Sequence, residues 1–426
     1  MKVLLINPMQ KNSMYSAAPL GLLYLASVLL NNGHKVKILD LTVDNEDIFD
    51  VVESFIPDVI GLTCMTCTYM EAERIAKTLK EFYDARIIVG GAHITAVGAE
   101  SIIGSTNVFD VVVQGEAELV INDVVEGKLN GAVIAELPVN LDSLPFPAWH
   151  LVDASKYKTL TTSKKFATLV TSRGCPYDCI FCDSNKNFRA RSAENVIAEI
   201  KYLKDIFKIN QFILYDDNFA VDKQRVLKIC DLLRDLNIKF KCETRVNLVD
   251  GELLVALKIA GCNLISYGIE CGYQKGLDFL NKHTTIQMIV DAIRKTQLAH
   301  IDILGYFILG LPEETEFEAL STIDFAIQLD LLYAQFSILT ALPGTSLHKY
   351  AKENDLLINE SGSYVGSQSD VSLKNKHMTS KKLKQLKRLA NKRFYLRFSY
   401  VVKRLRMIRG FEDIKLLARA AKEVLG

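Results

Sequence analysis

Short apolar runs alternate with longer amphipathic segments over residues 1–130. Continuous apolar runs of this length predict buried strands, and apolar positions at helical spacing predict helices. Strands are predicted at residues 3–7, 35–40, 59–63, 85–89 and 111–113, and helices at 19–31 and 70–82. This alternation is typical of an α/β domain with a parallel, Rossmann-like sheet.

Polar and glycine residues follow three of these strands. Because ligands of parallel sheets lie at the carboxyl ends of the strands, these positions are candidates for a binding edge. They are Thr63, Thr66, Thr68, Gly90, Gly91, His93, Gly115 and Glu116. The first strand is not followed by G-x-G-x-x-G, so the dinucleotide fingerprint is missing. His93 is more typical of a hydrogen-bonded loop histidine than of a ligand.

Residues 137–165 separate this domain from a second α/β pattern. Pro145 and Pro147 block regular helix and sheet there, so we expect an extended linker. Trp149, the single tryptophan, is predicted to pack between domains.

The second pattern contains six strand–helix units. Its strands are predicted at residues 167–171, 211–215, 239–243, 264–268, 303–308 and 334–339. Active sites of barrels form at the carboxyl ends of their strands. Asp216, Asp217, Glu243, Arg245 and Glu270 lie at such ends and are candidate ligand contacts. Alternatively, some of these acids, Asp217 above all, cap the helices that follow.

Three cysteines, Cys175, Cys179 and Cys182, follow the first strand of this pattern with the spacing C-x3-C-x2-C. Closely spaced thiolates on a loop are typical of an iron–sulfur cluster, and three of them leave one iron open. A structural zinc site is the alternative. Zinc sites usually pair cysteines as C-x2-C with two further ligands downstream, which this loop does not show.

Composition narrows the class of protein. The chain has 426 residues, 49% of them hydrophobic, and a length of this order predicts two to four domains. Its net charge of +1 gives no overall positive field, so we expect no nucleic-acid partner. The remaining six of nine cysteines are scattered in apolar runs, which favours a reducing, cytoplasmic setting. The beginning of the sequence lacks a signal-peptide layout, and the apolar run at 17–30 is too short to span a bilayer.

The cysteine loop resembles the signature of the radical SAM enzymes, whose open iron binds S-adenosylmethionine. Four upstream elements resemble the N-terminal domain of the cobalamin-dependent members of that family. They are Pro19-Leu20-Gly21-Leu22, Ile60-Gly61-Leu62-Thr63, Gly90-Gly91-Ala92-His93 and Gln114-Gly115-Glu116. The resemblance extends from Val3 to about Leu417.

This resemblance implies a cobalamin-binding domain at 1–136, a linker at 137–165, a partial (β/α)6 TIM-type barrel at 166–346 and a helical, basic region at 347–426. It implies a [4Fe-4S] cluster on Cys175, Cys179 and Cys182. Two groups of contacts are predicted from it. S-adenosylmethionine would contact Tyr177, Phe181, Asp216, Asp217, Glu243, Arg245 and Glu270; cobalamin would contact Thr63, Met65, Thr66, Gly90, Gly91, His93, Gly115 and Glu116.

Many cobalamin-binding domains carry D-x-H-x-x-G, whose histidine ligates cobalt. None of the seven histidines here lies in that context, so we expect no histidine on the metal. Met65, Thr66 and Tyr15 are the candidates for the residue beneath cobalt.

The implied activity is C-methylation of an unactivated carbon. Reductive cleavage of S-adenosylmethionine would give a 5′-deoxyadenosyl radical, which abstracts hydrogen from the substrate before methylcobalamin donates its methyl group. An external one-electron reductant such as a flavodoxin or ferredoxin is implied. The substrate, whether a small molecule, a lipid or a protein side chain, is not specified. Alternatives are a cobalamin-binding radical SAM enzyme that cyclises or rearranges a ring, and a non-catalytic cobalamin or iron–sulfur binding protein.

Residues 371–411 are rich in Lys and Arg and contain no Asp or Glu. Their apolar residues recur at helical spacing. We favour a helical cap on the barrel with a solvated basic face, and peripheral contact with an anionic membrane is the alternative.

Overall fold

The computed structural model describes residues 1–10, 16–159, 161–162, 164–358 and 371–406. The chain divides into two compact units, one from Met1 to Lys158 and one that begins at Thr159.

The first unit is built on six parallel strands in the order β2-β1-β3-β4-β5-β6. The strands are β1 (Lys2–Asn7), β2 (Lys35–Asp40), β3 (Val59–Thr63), β4 (Arg86–Gly90), β5 (Val111–Gln114) and β6 (Gly131–Ile134). The helices are α1 (Leu20–Asn31), α2 (Ile48–Phe55), α3 (Tyr69–Phe82), α4 (Ala92–Val97), α5 (Ala99–Ser105) and α6 (Ile121–Val125). The predicted parallel sheet is confirmed.

The core strands of this unit are apolar along their whole length because both faces of the sheet are covered. Leu4, Leu62, Val89 and Val112 are all buried. The apolar pattern did not predict β6, α2 or α4 to α6, because these elements are only four to eight residues long, too short to show a clear period.

The segment predicted as an extended linker packs largely within the first unit. It forms 3-10 turns at Leu141–Ser143 and Trp149–Leu151, and Ala148 N–H donates to Leu23 O. The Ser27 hydroxyl donates to Phe146 O, and the Tyr157 hydroxyl donates to Asp40. Trp149 is 1% exposed. Only residues 159–165 of the predicted linker lie outside the first unit.

The second unit contains six parallel strands in the order β14-β13-β12-β11-β10-β7 and an antiparallel pair, β8 with β9. The strands are β7 (Ala167–Leu169), β8 (Ser172–Arg173), β9 (Arg189–Ala190), β10 (Gln211–Leu214), β11 (Lys239–Thr244), β12 (Cys262–Glu270), β13 (Asp302–Leu309) and β14 (Tyr333–Ile338). The strand order follows the chain across the sheet, which confirms the six βα units and the partial barrel.

The helices of the second unit connect its strands and continue beyond them. They are α7 (Ala193–Phe207), α8 (Lys223–Leu233), α9 (Gly251–Ile259), α10 (Gln274–Phe279), α11 (Ile286–Leu298), α12 (Glu316–Gln328), α13 (Ser346–Glu353), α14 (Ser380–Tyr395) and α15 (Phe398–Arg406). Ser192 caps α7, since its side chain accepts from Asn195 N–H at the start of the helix. The loop before α12 ends in a capping box between Thr315 and Glu318.

Helix α14 covers β14 and α12. Its apolar residues Leu383, Leu386, Ala390 and Phe394 are buried. This arrangement confirms the predicted helical cap. Within the described residues, no helix combines the length and the apolar character needed to cross a bilayer.

Candidate functional site

The cysteine loop runs between β8 and β9, which close it at its base. Ser172 pairs with Ala190 and Arg173 with Arg189. Gly174 has φ of +84°, and a Cβ at this position would lie 2.8 Å from Asn185 O. The loop therefore requires glycine immediately before its first cysteine. Cys175 N–H donates to the same Asn185 carbonyl at 2.7 Å, which tightens the turn.

Each thiol of the loop accepts a hydrogen bond from nitrogen. The donors are Asn218 Nδ2 to Cys175 at 4.0 Å, Arg245 to Cys179 at 3.2 Å and Ser184 N–H to Cys182 at 3.5 Å. Such donors favour the thiolate, the form that ligates metal. Burial alone acts the other way and raises the pKa of the Cys182 thiol.

Throughout the described part of the chain, no three His, Cys, Asp or Glu side chains gather closely enough to hold a single metal ion. An iron–sulfur cluster is bound differently, with one thiolate to each of several irons. The thiolates of a cluster site therefore lie further apart than the ligands of a single metal ion.

Asp216 lies beneath the loop and its carboxylate is fully engaged by protein. It accepts from Thr171 N–H at 2.6 Å, from the Thr171 hydroxyl at 2.5 Å and from the Ser172 hydroxyl at 2.6 Å. Arg225 lies 3.9 Å away. Burial raises the pKa of Asp216, and these hydrogen bonds partly offset that shift. The geometry favours an anchor for the loop over the predicted contact with S-adenosylmethionine.

Asp217 is exposed and accepts from Gly174 N–H at 2.9 Å. It does not cap the following helix. That role belongs to Asp222, whose side chain accepts from Arg225 N–H. The alternative prediction of a helix cap at Asp217 is therefore wrong, because the turn after β10 continues for several residues before α8 begins.

Arg245 joins the loop to the end of β11. Its guanidinium contacts Cys179 Sγ and the Lys282 carbonyl, and lies 3.9 Å from the centre of the Tyr177 ring. The Asn247 side chain accepts from its Nε at 3.1 Å. These contacts fix the orientation of the planar guanidinium beside the Cys179 thiol.

Glu270, at the end of β12, pairs with Lys282 at 2.7 Å, and both side chains are buried. Glu270 has φ of +67°, which is uncommon for a residue with a side chain and often marks a functional position. Lys282 also approaches the Phe181 ring, with Nζ 5.9 Å from its centre.

Glu243 accepts a hydrogen bond from the Tyr306 hydroxyl at 2.8 Å. Burial raises the pKa of this carboxyl, and the bond from Tyr306 partly offsets the shift. The structure therefore brings six predicted residues to one rim: Tyr177, Phe181, Asp217, Glu243, Arg245 and Glu270. It adds Asn218, Lys282 and Tyr306, for which the sequence offered no distinctive spacing.

In the first unit, the predicted binding edge follows the ends of β3, β4 and β5. Gly91 has φ of +113°, and a Cβ there would lie 2.8 Å from Cys64 N. Gly115 has φ of +96° and donates to the Thr95 hydroxyl at 3.0 Å. Gly90 pairs with Thr63 across β3 and β4, and Glu116 follows Gly115 into a 3-10 turn.

His93 is a packed loop residue at this edge. Its Nδ1 lies 3.2 Å from the Thr66 hydroxyl, and its ring packs against Tyr69 at an angle of 35°, with centres 4.5 Å apart. Burial lowers its pKa, so the ring is neutral near pH 7. Met65, by contrast, is 46% exposed. Tyr15 lies outside the described residues.

Two family models match the two units in turn. The B12 binding domain matches residues 10–125, and the Radical SAM superfamily matches residues 169–326. An "Uncharacterized methyltransferase" of Pyrococcus horikoshii is 33% identical over 459 aligned positions, which cover 100% of this chain and 98% of that protein. The chain belongs to the cobalamin-dependent radical SAM family, methyltransferase type.

Another relative is the anaerobic magnesium-protoporphyrin IX monomethyl ester cyclase of Rubrivivax gelatinosus, 28% identical across 74% of this chain and 63% of that protein. Among solved structures, the cobalamin-dependent S-adenosylmethionine radical enzyme OxsB matches with a TM-score of 0.74 at 18% identity. That match covers 99% of this chain and 71% of OxsB. The likeness to OxsB shows the fold.

The donor set fits the cofactors of this family. Three thiols on one glycine-based loop, each with a nitrogen donor, suit an iron–sulfur cluster. At the edge of the first unit, a Cβ at Gly91 would meet backbone of Cys64, and a Cβ at Gly115 would lie 3.1 Å from Ala135 O. These glycines therefore let the loops after β4 and β5 pack closely at the predicted cobalamin edge.

Proposed function

We propose that this protein is a cobalamin-dependent radical SAM C-methyltransferase that acts on an unactivated carbon. The observation that carries the proposal is the cysteine loop with Arg245 on one of its thiols, in a chain whose other unit matches the B12 binding domain. Family membership supports methyl transfer; attack on a carbon centre is the finer part of the proposal.

We assign Cys175, Cys179 and Cys182 as ligands of a [4Fe-4S] cluster. Arg245 and its neighbours Tyr177 and Phe181 would bind S-adenosylmethionine, with the guanidinium as partner for its carboxylate. Asp217, Glu243 and Glu270 supply acceptors for its amine and ribose hydroxyls. Asp216 is a positioning residue, because its carboxylate oxygens already accept hydrogen bonds from Thr171 and Ser172.

Cobalamin is assigned to the edge formed by Thr63, Met65 and Thr66, Gly90 to His93, and Gly115 with Glu116. The family domains at 10–125 and 169–326 lie within the proposed domains 1–136 and 166–346, and the compact first unit extends beyond the first of these to Lys158. When bound, the cluster supplies the electron that cleaves S-adenosylmethionine and cobalamin supplies the methyl group. The protein's part is to bind, to orient and to keep water away.

Enzymes of this family need a one-electron reductant and a substrate, and we propose a flavodoxin or ferredoxin as the electron donor. A cytoplasmic setting is supported by nine free thiols. Peripheral membrane contact through the basic C-terminal helices is the alternative to a helical cap with a solvated basic face. Phe398 and Leu405 are exposed on α15, whereas Lys382 and Arg393 of α14 pair with acidic residues of α12.

The test is turnover by reconstituted protein under strict anaerobiosis, with a chemical reductant and candidate substrates. We expect 5′-deoxyadenosine and a product heavier by one CH2. Cys179→Ser should abolish both. Formation of 5′-deoxyadenosine by that variant would contradict the assignment of the loop.

The cyclase relative favours one alternative activity, ring closure without methyl transfer. Product mass separates the two, since cyclisation adds no carbon. Absence of 5′-deoxyadenosine from fully loaded wild-type protein would instead support a non-catalytic binding protein.

A further inference from the structure

One face of β11 is directed into the concave side of the curved sheet. Phe240, Cys242 and Thr244 are buried, while Lys241 and Glu243 alternate with them and are half-buried. Glu243 reaches Tyr306 on β13 although β12 lies between the two strands. In a curled sheet, side chains two strands apart converge on the concave face, and Glu243 and Tyr306 meet there across β12. Lys241 therefore shares the concave face with Glu243.

The ammonium group of Lys241 lies beside two hydroxyl groups. Its Nζ donates to Thr159 Oγ1 at 3.3 Å and also contacts Thr161 Oγ1. Burial lowers the pKa of Lys241 to about 8, and the charge on Glu243 partly offsets this shift. The side chain is thus still mostly protonated near pH 7, in surroundings that favour loss of its charge.

Hydroxyl groups satisfy the hydrogen bonds of a buried ammonium group but do not neutralise it. The nearest acid on the same face, Glu243, already accepts from Tyr306. A buried cation is stabilised when a charged partner enters its site, and the gain is larger there than in water. None of the roles assigned above to the cluster, S-adenosylmethionine or cobalamin uses Lys241.

We propose that Lys241, with the hydroxyls of Thr159 and Thr161, binds an anionic oxygen group of the substrate, a carboxylate or a phosphate. The inference rests on the proposed function and names the substrate class of that site. Lys241 precedes Arg245 by four residues, a separation of about 13 Å along an extended strand. The substrate is thus an anion whose charged end binds about 13 Å from Arg245, toward the start of β11.

A simpler role for the same residues is structural. Lys241 would then only fasten the segment around Thr159 to the barrel. A structural contact of this kind would leave the lysine equally reactive with and without small anions, so accessibility to a reagent separates the two roles.

The experiment uses cluster- and cobalamin-loaded protein and follows acetylation of individual lysines by mass spectrometry. Inorganic phosphate and succinate are titrated in separate arms at constant ionic strength, with sodium chloride as the balance. At an anion concentration about ten times its Kd, the free site falls to about one tenth, so acetylation of Lys241 should slow about tenfold. Protection by phosphate but not succinate assigns a phosphate group, and the reverse assigns a carboxylate.

Lys239, exposed on the same strand, is the internal control and should react at an unchanged rate. Thermal unfolding gives a second measurement. The protecting anion should raise Tm of wild type and of Lys239→Gln but not of Lys241→Gln. Equal Tm shifts in all three proteins, or acetylation of Lys241 that neither anion slows, would overturn the proposal. If Lys241→Gln does not fold, the wild-type labelling decides.

Production of 5′-deoxyadenosine is measured in the same preparations. Production of 5′-deoxyadenosine with no protection of Lys241 by either anion would rule out the anion site and remain consistent with the proposed function. Protection without 5′-deoxyadenosine keeps the anion site and removes the proposed function.

Discussion

At the scale of single residues, Asp216 and Asp217 are adjacent in sequence but hold different parts of the cysteine loop. Asp216 is buried and binds Thr171 and Ser172 at the base of the loop. Asp217 is exposed and binds Gly174 N–H immediately before the first cysteine. The alternation of strand-end side chains explains why one residue faces the core and its neighbour the rim.

Asp216→Asn should destabilise the protein and impair cluster loading. An amide has a single acceptor oxygen, so at least one buried donor loses its partner, at a cost of about 2 kcal/mol. Urea unfolding of the apoprotein and iron content after reconstitution are the measurements. Asp231→Asn, which removes an exposed ion pair with Arg234, should change neither. Wild-type stability with normal iron content in Asp216→Asn would rule out the anchoring role.

Glu314 is a buried carboxyl in the loop before α12, where it accepts from Gly310 N–H and the Tyr273 hydroxyl. Burial raises its pKa from 4.5 to about 7. The folded state therefore holds this proton more tightly than the unfolded state. Its contribution to stability is complete below pH 4.5 and is lost as pH rises to about 7.

Glu314→Gln should remove this titration because the amide keeps the neutral form. Wild type should lose up to about 3 kcal/mol of unfolding free energy relative to the variant between pH 4.5 and 8. Urea denaturation of the two apoproteins across that range measures the difference. Glu313→Gln, at an exposed neighbour, should follow wild type at every pH. A constant gap between wild type and Glu314→Gln would contradict the shifted pKa.

At the scale of elements, α14 shows how a strongly basic helix serves as a structural cap. Lys382 pairs with Glu316 and Arg393 with Asp324, both on α12. Its apolar face includes Phe394, which packs against Phe336 of β14 with ring centres 6.3 Å apart. The acidic partners of these basic residues thus come from another helix. The sequence of the basic segment alone does not reveal them.

We expect the protein not to float with anionic vesicles at physiological salt, because Lys382 and Arg393 are paired with α12 and salt screens the attraction of exposed basic side chains to the membrane. Sedimentation through a density gradient with phosphatidylserine vesicles tests this. A protein ending near Ser372 is the comparison. Flotation of the full chain that this truncation abolishes would establish membrane contact.

At the scale of the whole molecule, two units carry separate chemistry. The first contains a glycine-lined strand edge and matches the B12 binding domain, and the second contains the cysteine loop. Each has its own parallel sheet and its own buried core. The two cofactors should therefore be removable one at a time.

Gly91→Ala should lose cobalamin and keep its iron. The new Cβ would meet backbone atoms of Cys64, and φ of +113° strains any residue but glycine. Cys179→Ser should show the reverse, with cobalamin kept and iron lost. Iron analysis and the ultraviolet–visible spectrum of each loaded protein give both contents. Loss of both cofactors in either variant would contradict independent sites.

The apolar pattern by itself determined most strands, the long helices and the order of the two α/β units. The burial of a strand or of one helix face is visible in the spacing of its own apolar residues, so a window of several residues is sufficient to predict the element. The cysteine loop was equally readable, because its three thiols lie within eight residues. Short elements such as β6 left too few residues to establish a period.

Only the tertiary structure decided what each strand-end residue does. Glu243 and Tyr306 meet across 63 positions of sequence, and Lys241 reaches Thr161 across 80. Asp216 and Glu270 were both acids after a strand, yet one binds hydroxyls under the loop and the other binds Lys282. Such roles depend on how strands are placed side by side, and the curvature of the sheet that sets this placement is not encoded within any one segment.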